Sequence, residues 1–217
     1  MNLKERVVRE LRLAIADGQY GPGEHLTEAA LCERFKVSRT PVREALNQLE
    51  REGFVRKTPA AGVRVTKLTL QEAKNVYDLL IVLESAAARF ACINITDEQI
   101  RKLVEYNILF ERAAETSNTD LLFQVNLQFH WLITEATHNA YLIDARDNFR
   151  RLVDRIGRIF PRIPEQIEAS LREHRQITDA LKTRNAALTE FLMREHLEKA
   201  KKRLFDHLQQ EEEKSSG

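Results

Sequence analysis

Glycine and proline are crowded into the first third of this chain, and that asymmetry limits what its two parts can become. Gly18, Gly21, Gly23, Gly53, Gly62, Pro22, Pro41 and Pro59 all precede residue 63, whereas only Gly157, Pro161, Pro164 and Gly217 follow it. Glycine tolerates backbone angles other residues avoid, and proline lacks an N–H, so both interrupt regular structure. Turns therefore belong to the first part and long helices to the second. At 217 residues and 43% hydrophobic content the chain can fill two small cores. Residues 1–67 are expected to form one domain and residues 68–217 another.

In the first part, Leu3, Val7, Val8, Leu11 and Ile15 make an apolar stripe on a helix that ends at Asp17-Gly18. Thr27, Ala30, Leu31 and Phe35 outline a shorter second helix, and Lys36-Val37 is a tight connection to a third that runs from Ser38 to about Glu52, with Gly53 as its stop. Residues 54–57 and 63–66 have β-type composition and flank a loop holding Pro59 and Gly62, which reads as a two-stranded wing. The expected fold class is mainly α: an N-terminal winged helix-turn-helix of three helices plus a two-stranded wing, followed by an all-α six-helix bundle.

The third helix carries the chemistry of that domain. Ser38 can cap it, Pro41 fits its first turn, and its free N–H groups favour an anion such as phosphate. Arg39 and Arg43 are four residues apart and share a face, while Ala45, Leu46 and Leu49 point toward the core. Arginine can pair with the O6/N7 edge of guanine, so Ser38, Arg39, Thr40 and Arg43 are candidate DNA contacts, and Gly62 lets the wing approach DNA closely. Arg56, Lys57 and Arg64 add wing charge. The plainer alternative is an amphipathic helix with solvated arginines. Charge distribution favours DNA: the whole chain has a formal net charge of +1, but thirteen Lys/Arg against nine Asp/Glu give residues 1–67 a net +4.

In the second part, apolar residues recur every three or four positions, predicting helices near 69–93, 96–116, 119–137, 140–160, 165–183 and 185–211. Thr69, Thr96, Asn118, Asn139 and Asn185 are suitable caps. His130, His174 and His196 fall on the apolar faces of three different helices. A single such histidine is commonly a core residue bonded to a neighbour, but three converging imidazoles suit a divalent metal. Cys32 and Cys92 belong to no paired framework and read as buried, reduced thiols. The most apolar stretch, residues 76–93, is interrupted by Asp78, Glu84 and Arg89, which favours a buried helix over a membrane span. With a charged N-terminus lacking a signal-peptide core, the expectation is a cytoplasmic protein without membrane partners.

The run Leu26-Thr27-Glu28, then Val37-Ser38-Arg39-Thr40-Pro41-Val42-Arg43-Glu44-Ala45-Leu46, then Leu49-Glu50 and Gly53, resembles the GntR family of bacterial transcription regulators. The resemblance implies that Ser38, Arg39, Arg43 and Gly62 contact operator DNA, although Ala60-Ala61-Gly62 stands where a more glycine-rich wing tip is common. The pattern Asn126-Leu127-Gln128-Phe129-His130, Glu173-His174 and Glu195-His196 resembles the FCD effector domain of the FadR subfamily. That resemblance implies a metal such as zinc or nickel held by three histidines and an aspartate, a small-molecule effector, and a homodimer on a roughly palindromic operator. The metal set is then Asn126, His130, His174 and His196, with Asn126 in the aspartate's place. Asparagine ligates without adding negative charge, so a carboxylate effector could complete the coordination sphere. Relatives carry an anion-holding arginine near Leu80, which this chain lacks.

The expected function is thus a ligand-responsive DNA-binding regulator, most simply a repressor. In a second reading the metal itself is the signal. An enzyme is disfavoured: a di-iron bundle needs paired Glu-x-x-His motifs, of which only Glu135 with His138 occurs, and no nucleophile elbow, P-loop or dinucleotide fingerprint is present.

Overall fold

The computed structural model describes residues 2–16, 19–21, 23–58, 62–66, 70–149, 153 and 163–216. They form two compact units, Met1–Thr69 and Leu70–Gly217. The Asp17-Gly18 stop, the tip around Pro59, the Thr69 cap and most of the expected 150–160 helical stretch lie outside the described residues.

In the first unit α1 (Leu3–Ala16) packs on α3 (Arg39–Arg51), with α2 (Glu28–Phe35) against α3. Val7, Val8 and Leu11 meet Leu31, Phe35, Val42, Ala45, Leu46 and Leu49 in one core. The turn between α2 and α3 places Lys36 in the left-handed region at φ 52°, and its N–H closes on Cys32 O. Gly53, at φ 77°, follows α3 as expected of a helix stop. The wing has one strand more than the sequence suggested. β1 (His25–Leu26), β2 (Val55–Thr58) and β3 (Gly62–Val65) form an antiparallel sheet in the order β1-β3-β2. A two-residue strand offers no alternation to read, so only its pairing with β3 reveals it. Arg12 braces the unit by donating to Glu52 Oε2 at 2.6 Å while its guanidinium lies over Phe54.

The second unit consists, among the described residues, of α4 (Leu70–Asn94), α5 (Asp97–Glu115), α6 (Thr119–Glu135), α7 (Ala140–Asn148), α8 (Pro164–Lys182) and α9 (Ala186–Ser216). Each cap that can be examined forms: Thr96 with Gln99 makes a capping box, and Asn118, Asn139 and Asn185 accept from the N–H three residues on. α4 and α9 run antiparallel side by side, tied by Asp78 to Lys201 at one end and Cys92 to Thr189 at the other. Arg184, in the turn between α8 and α9, donates to the carbonyls of Cys92 and Ile95 and so satisfies the end of α4. The core gathers Ala88, Ala91, Leu103, Phe129, Ile133, Ile177 and Leu181 from α4, α5, α6 and α8. Cys92 is buried as expected, but Cys32 is only half-buried, because it sits on the flank of α2 and not on its inner face.

Leu49 is fully enclosed in the first core. Leu49→Ala is expected to lower the stability of that unit by about 2–5 kcal/mol, since the cavity left behind adds to the lost transfer energy. Denaturant titration followed by circular dichroism reads the change.

Candidate nucleic-acid interface and metal centre

At the start of α3 the backbone of Ser38 is extended, yet its hydroxyl makes no capping hydrogen bond. The cap expected of Ser38 is not made, which leaves both its hydroxyl and the first-turn N–H groups available to an external acceptor. Ser38, Arg39, Thr40 and Arg43 are all exposed, while Val42, Ala45, Leu46 and Leu49 are buried beneath them. Arg43 is the one the sequence places incompletely: its Nε lies 2.8 Å from both carboxylate oxygens of Glu28 on α2.

Gly62 opens β3 at φ +67°, and a Cβ there would lie 2.5 Å from His25 Nε2. That contact is with the tip of the exposed His25 side chain, which can swing aside, so the left-handed backbone angle is what accounts for glycine at this position. Pairing aligns His25 with Arg64 and Arg64 with Arg56, a row of basic groups across one sheet face. Lys57 is turned back toward α3, bonding Asn47 and lying 3.4 Å from Glu50.

In the second unit the three histidines do converge. His130 on α6, His174 on α8 and His196 on α9 are all buried, and their candidate ligand atoms lie within 4.8 Å of one another. His196 directs Nδ1 to Glu173 Oε2 at 2.7 Å, and His130 directs Nδ1 to Glu84 Oε2 at the same distance. The second contact is close but poorly directed for a hydrogen bond, so it acts chiefly as an electrostatic one. Each carboxylate is braced in turn: Arg146 donates to Glu84 Oε1 at 3.1 and 3.3 Å, and Arg203 lies 3.3 Å from Glu173 Oε2. A carboxylate behind Nδ1 favours the Nδ1–H tautomer and leaves the Nε2 lone pair facing inward. The two Nε2 atoms of His130 and His196 are 3.3 Å apart. Two lone pairs that close repel unless a proton or a cation lies between them. His174 Nε2 and Asn126 Oδ1 are also buried without a hydrogen-bond partner among the described residues.

Electrostatics favour the neutral forms of His174 and His196. Burial pushes His174 well below its ordinary value of 6.5, with His196 and His130 adding repulsion. Burial likewise lowers His196, which its bond to Glu173 only partly offsets. For Glu84 burial pushes upward, but His130 and Arg146 outweigh it and hold the carboxyl at about 2. Glu173 follows the same pattern and is held low by His196 and Arg203.

Beside the cluster is a cleft of about 500 Å³, counted with its open mouth, lined by Tyr77, Leu80, Glu84, Asn126, His130 and Arg146 among others. Asn126, the fourth ligand suggested by the sequence, lines this cleft together with His130. The bracing set of Glu84, Glu173, Arg146 and Arg203 escaped sequence reasoning. Glu84 carried a usable signal, a carboxylate inside the most apolar stretch, which must find a countercharge. Glu173 carried a misleading one: it turns away from its neighbour His174, but its target is His196 on another helix.

Residues 3–65 match the family of bacterial regulatory proteins, gntR family, and residues 75–199 match the FCD domain. The HTH-type transcriptional repressor RspR of Escherichia coli (strain K12) is 32% identical over 197 residues, covering 90% of this chain and 86% of that protein. The HTH-type transcriptional regulator YdhC of Bacillus subtilis (strain 168) is 28% identical over 177 residues, covering 81% of this chain and 79% of that one. Among solved structures, E. coli McbR/YncC shares the fold with a TM-score of 0.74 at 20% identity, covering 96% of this chain and 99% of that chain. No described helix is long and apolar enough to cross a membrane.

The lowered values fix the sign of a pH dependence. Groups depressed by folding bind protons more readily when unfolded, so their stabilisation is complete at high pH and is lost as pH falls. In the presence of a chelator, stability of the second unit should begin to decline below 6.5, through His174 and His196, and fall again between 4.5 and about 2 through Glu84. Urea titrations across pH measure this; His174→Gln, which takes up no proton, should make the upper limb shallower.

Proposed function

The chain belongs to the gntR family of bacterial regulatory proteins and carries an FCD domain; it is a DNA-binding transcriptional regulator and not an enzyme, and we propose that it is a metabolite-responsive repressor using a His-rich metal centre. Repression is the reading suggested by RspR, a transcriptional repressor by name. Ser38, Arg39, Thr40 and Arg43 enter the major groove, Arg43 reads a base edge, and Gly62 with the wing approaches the backbone. Support comes from their common exposure above a buried face of α3 and from the uncapped helix start.

The observation that carries the effector reading is the pair of imidazole Nε2 atoms 3.3 Å apart beside the cleft, with Asn126 Oδ1 unpartnered near them. Such a donor set fits zinc or nickel, held by His130, His174, His196 and Asn126. When bound, the ion would supply positive charge to which an anionic oxygen can coordinate. No ligand in that set carries a negative charge, so a carboxylic acid effector is favoured. Arg146 does not stand in for the arginine missing near Leu80, because it enters the cleft already paired with Glu84. The effector favours one arrangement of a homodimer and so changes the spacing of two DNA heads on a roughly palindromic operator.

Selecting bound duplexes from a random library, then screening small organic and sugar acids for release with zinc or nickel present, tests the proposal. Release by an acid only when metal is present supports it; release by metal alone makes the metal the signal. Arg43→Ala should weaken binding to the selected duplex by about 1–3 kcal/mol. Glu173→Gln should weaken metal binding by about 10–100-fold through the loss of outer-shell support, whereas Asn126→Asp should tighten it by adding charge. Calorimetric metal titration reads both.

A further inference from the structure

We propose that Glu28 is a specificity-determining residue, holding Arg43 so that its guanidinium meets a base edge end-on; the inference rests on the reading of Arg43 as a base contact. A guanidinium offers two bidentate edges, one formed by Nε with a terminal nitrogen and one by the two terminal nitrogens. Glu28 occupies the first through Nε, which is centred between its two oxygens at 2.8 Å each. The terminal Nη1 and Nη2 make no protein hydrogen bond among the described residues, and the Arg43 side chain is 61% exposed. What remains is the fork that matches O6 and N7 of guanine.

The support is itself well anchored. Glu28 is the first residue of α2, where Thr27 caps the helix by accepting from Ala30 N–H and the helix dipole favours a carboxylate. Arg43 lies just past the first turn of α3. The contact thus joins the two helices of the helix-turn-helix and limits the rotamers of a long side chain before DNA arrives, which reduces the ordering cost at binding. An exposed ion pair adds little to folding stability, so its effect falls on recognition. Glu28 also places a negative charge near the phosphate-facing surface. Phosphate attraction is thereby reduced for every sequence alike, while the correctly matched base retains its bidentate bond.

The test uses the full chain and the duplex selected by the wild type from a random library. Arg43→Ala first identifies the base pair whose preference Arg43 sets. Glu28→Gln is expected to reduce discrimination at that base pair by about tenfold while tightening binding to unrelated duplex. Discrimination at other positions and the thermal midpoint should stay unchanged. The double variant Glu28→Gln/Arg43→Ala should discriminate no worse than Arg43→Ala alone, because the two residues act through one contact. If Glu28→Gln tightens binding to every duplex equally and leaves discrimination intact, Glu28 only offsets charge and the inference is overturned. If Arg43→Ala itself changes no base preference, it is the underlying reading of Arg43 that fails.

Discussion

A carboxylate buried among apolar helices stays ionised only if its charge is met at close range, and Glu84 is met from two directions. His130 approaches from α6 and Arg146 from α7, both within about the length of a hydrogen bond. Removing one member of such a pair leaves the other buried and unmatched, a loss of about 3–5 kcal/mol. The contact therefore fixes how α4, α6 and α7 are registered, and with them the direction in which the His130 ring faces. Arg146 is held further by the indole of Trp131, over which its guanidinium lies. The histidine cluster inherits its inward geometry from this arrangement.

The same device recurs at Glu173, His196 and Arg203, and in the first unit at Glu28 and Arg43. At His130, His196 and Arg43 a carboxylate takes one nitrogen of the side chain, Nδ1 or Nε, and leaves the remaining nitrogens out of that contact. Environment decides what this is worth. Within the helical unit low polarity makes each pairing strong and keeps His174 and His196 neutral, as metal ligation requires. At the surface water screens the Glu28 to Arg43 pair, so its consequence is orientation and not stability.

Much of the architecture was legible because helix signals are local. The 3.6-residue recurrence of apolar side chains, the capping residues Thr96, Asn118, Asn139 and Asn185, and the stops at Lys36 and Gly53 all act within a turn or two of chain. The inward faces of His130, His174 and His196 followed from that recurrence alone. What stayed hidden depended on residues distant in sequence. β1 is too short to carry a pattern and exists through its pairing with β3, and Ser38 has the composition of a cap without forming the bond. That a Cβ at Gly62 would meet the His25 side chain of another strand is likewise invisible in the chain's order.

By itself, then, the sequence determined a winged helix-turn-helix followed by a helical unit, a polar helix start above a small core, and three histidines facing inward. Each of these follows from spacing along one helix or from one turn's backbone chemistry. Only the tertiary structure decided which carboxylates stand behind those histidines, that Arg146 enters the cleft already neutralised, and that Glu28 takes one edge of Arg43. The physical reason is that charge pairing acts through space, and separations such as the 62 residues between Glu84 and Arg146 leave no periodicity in the chain.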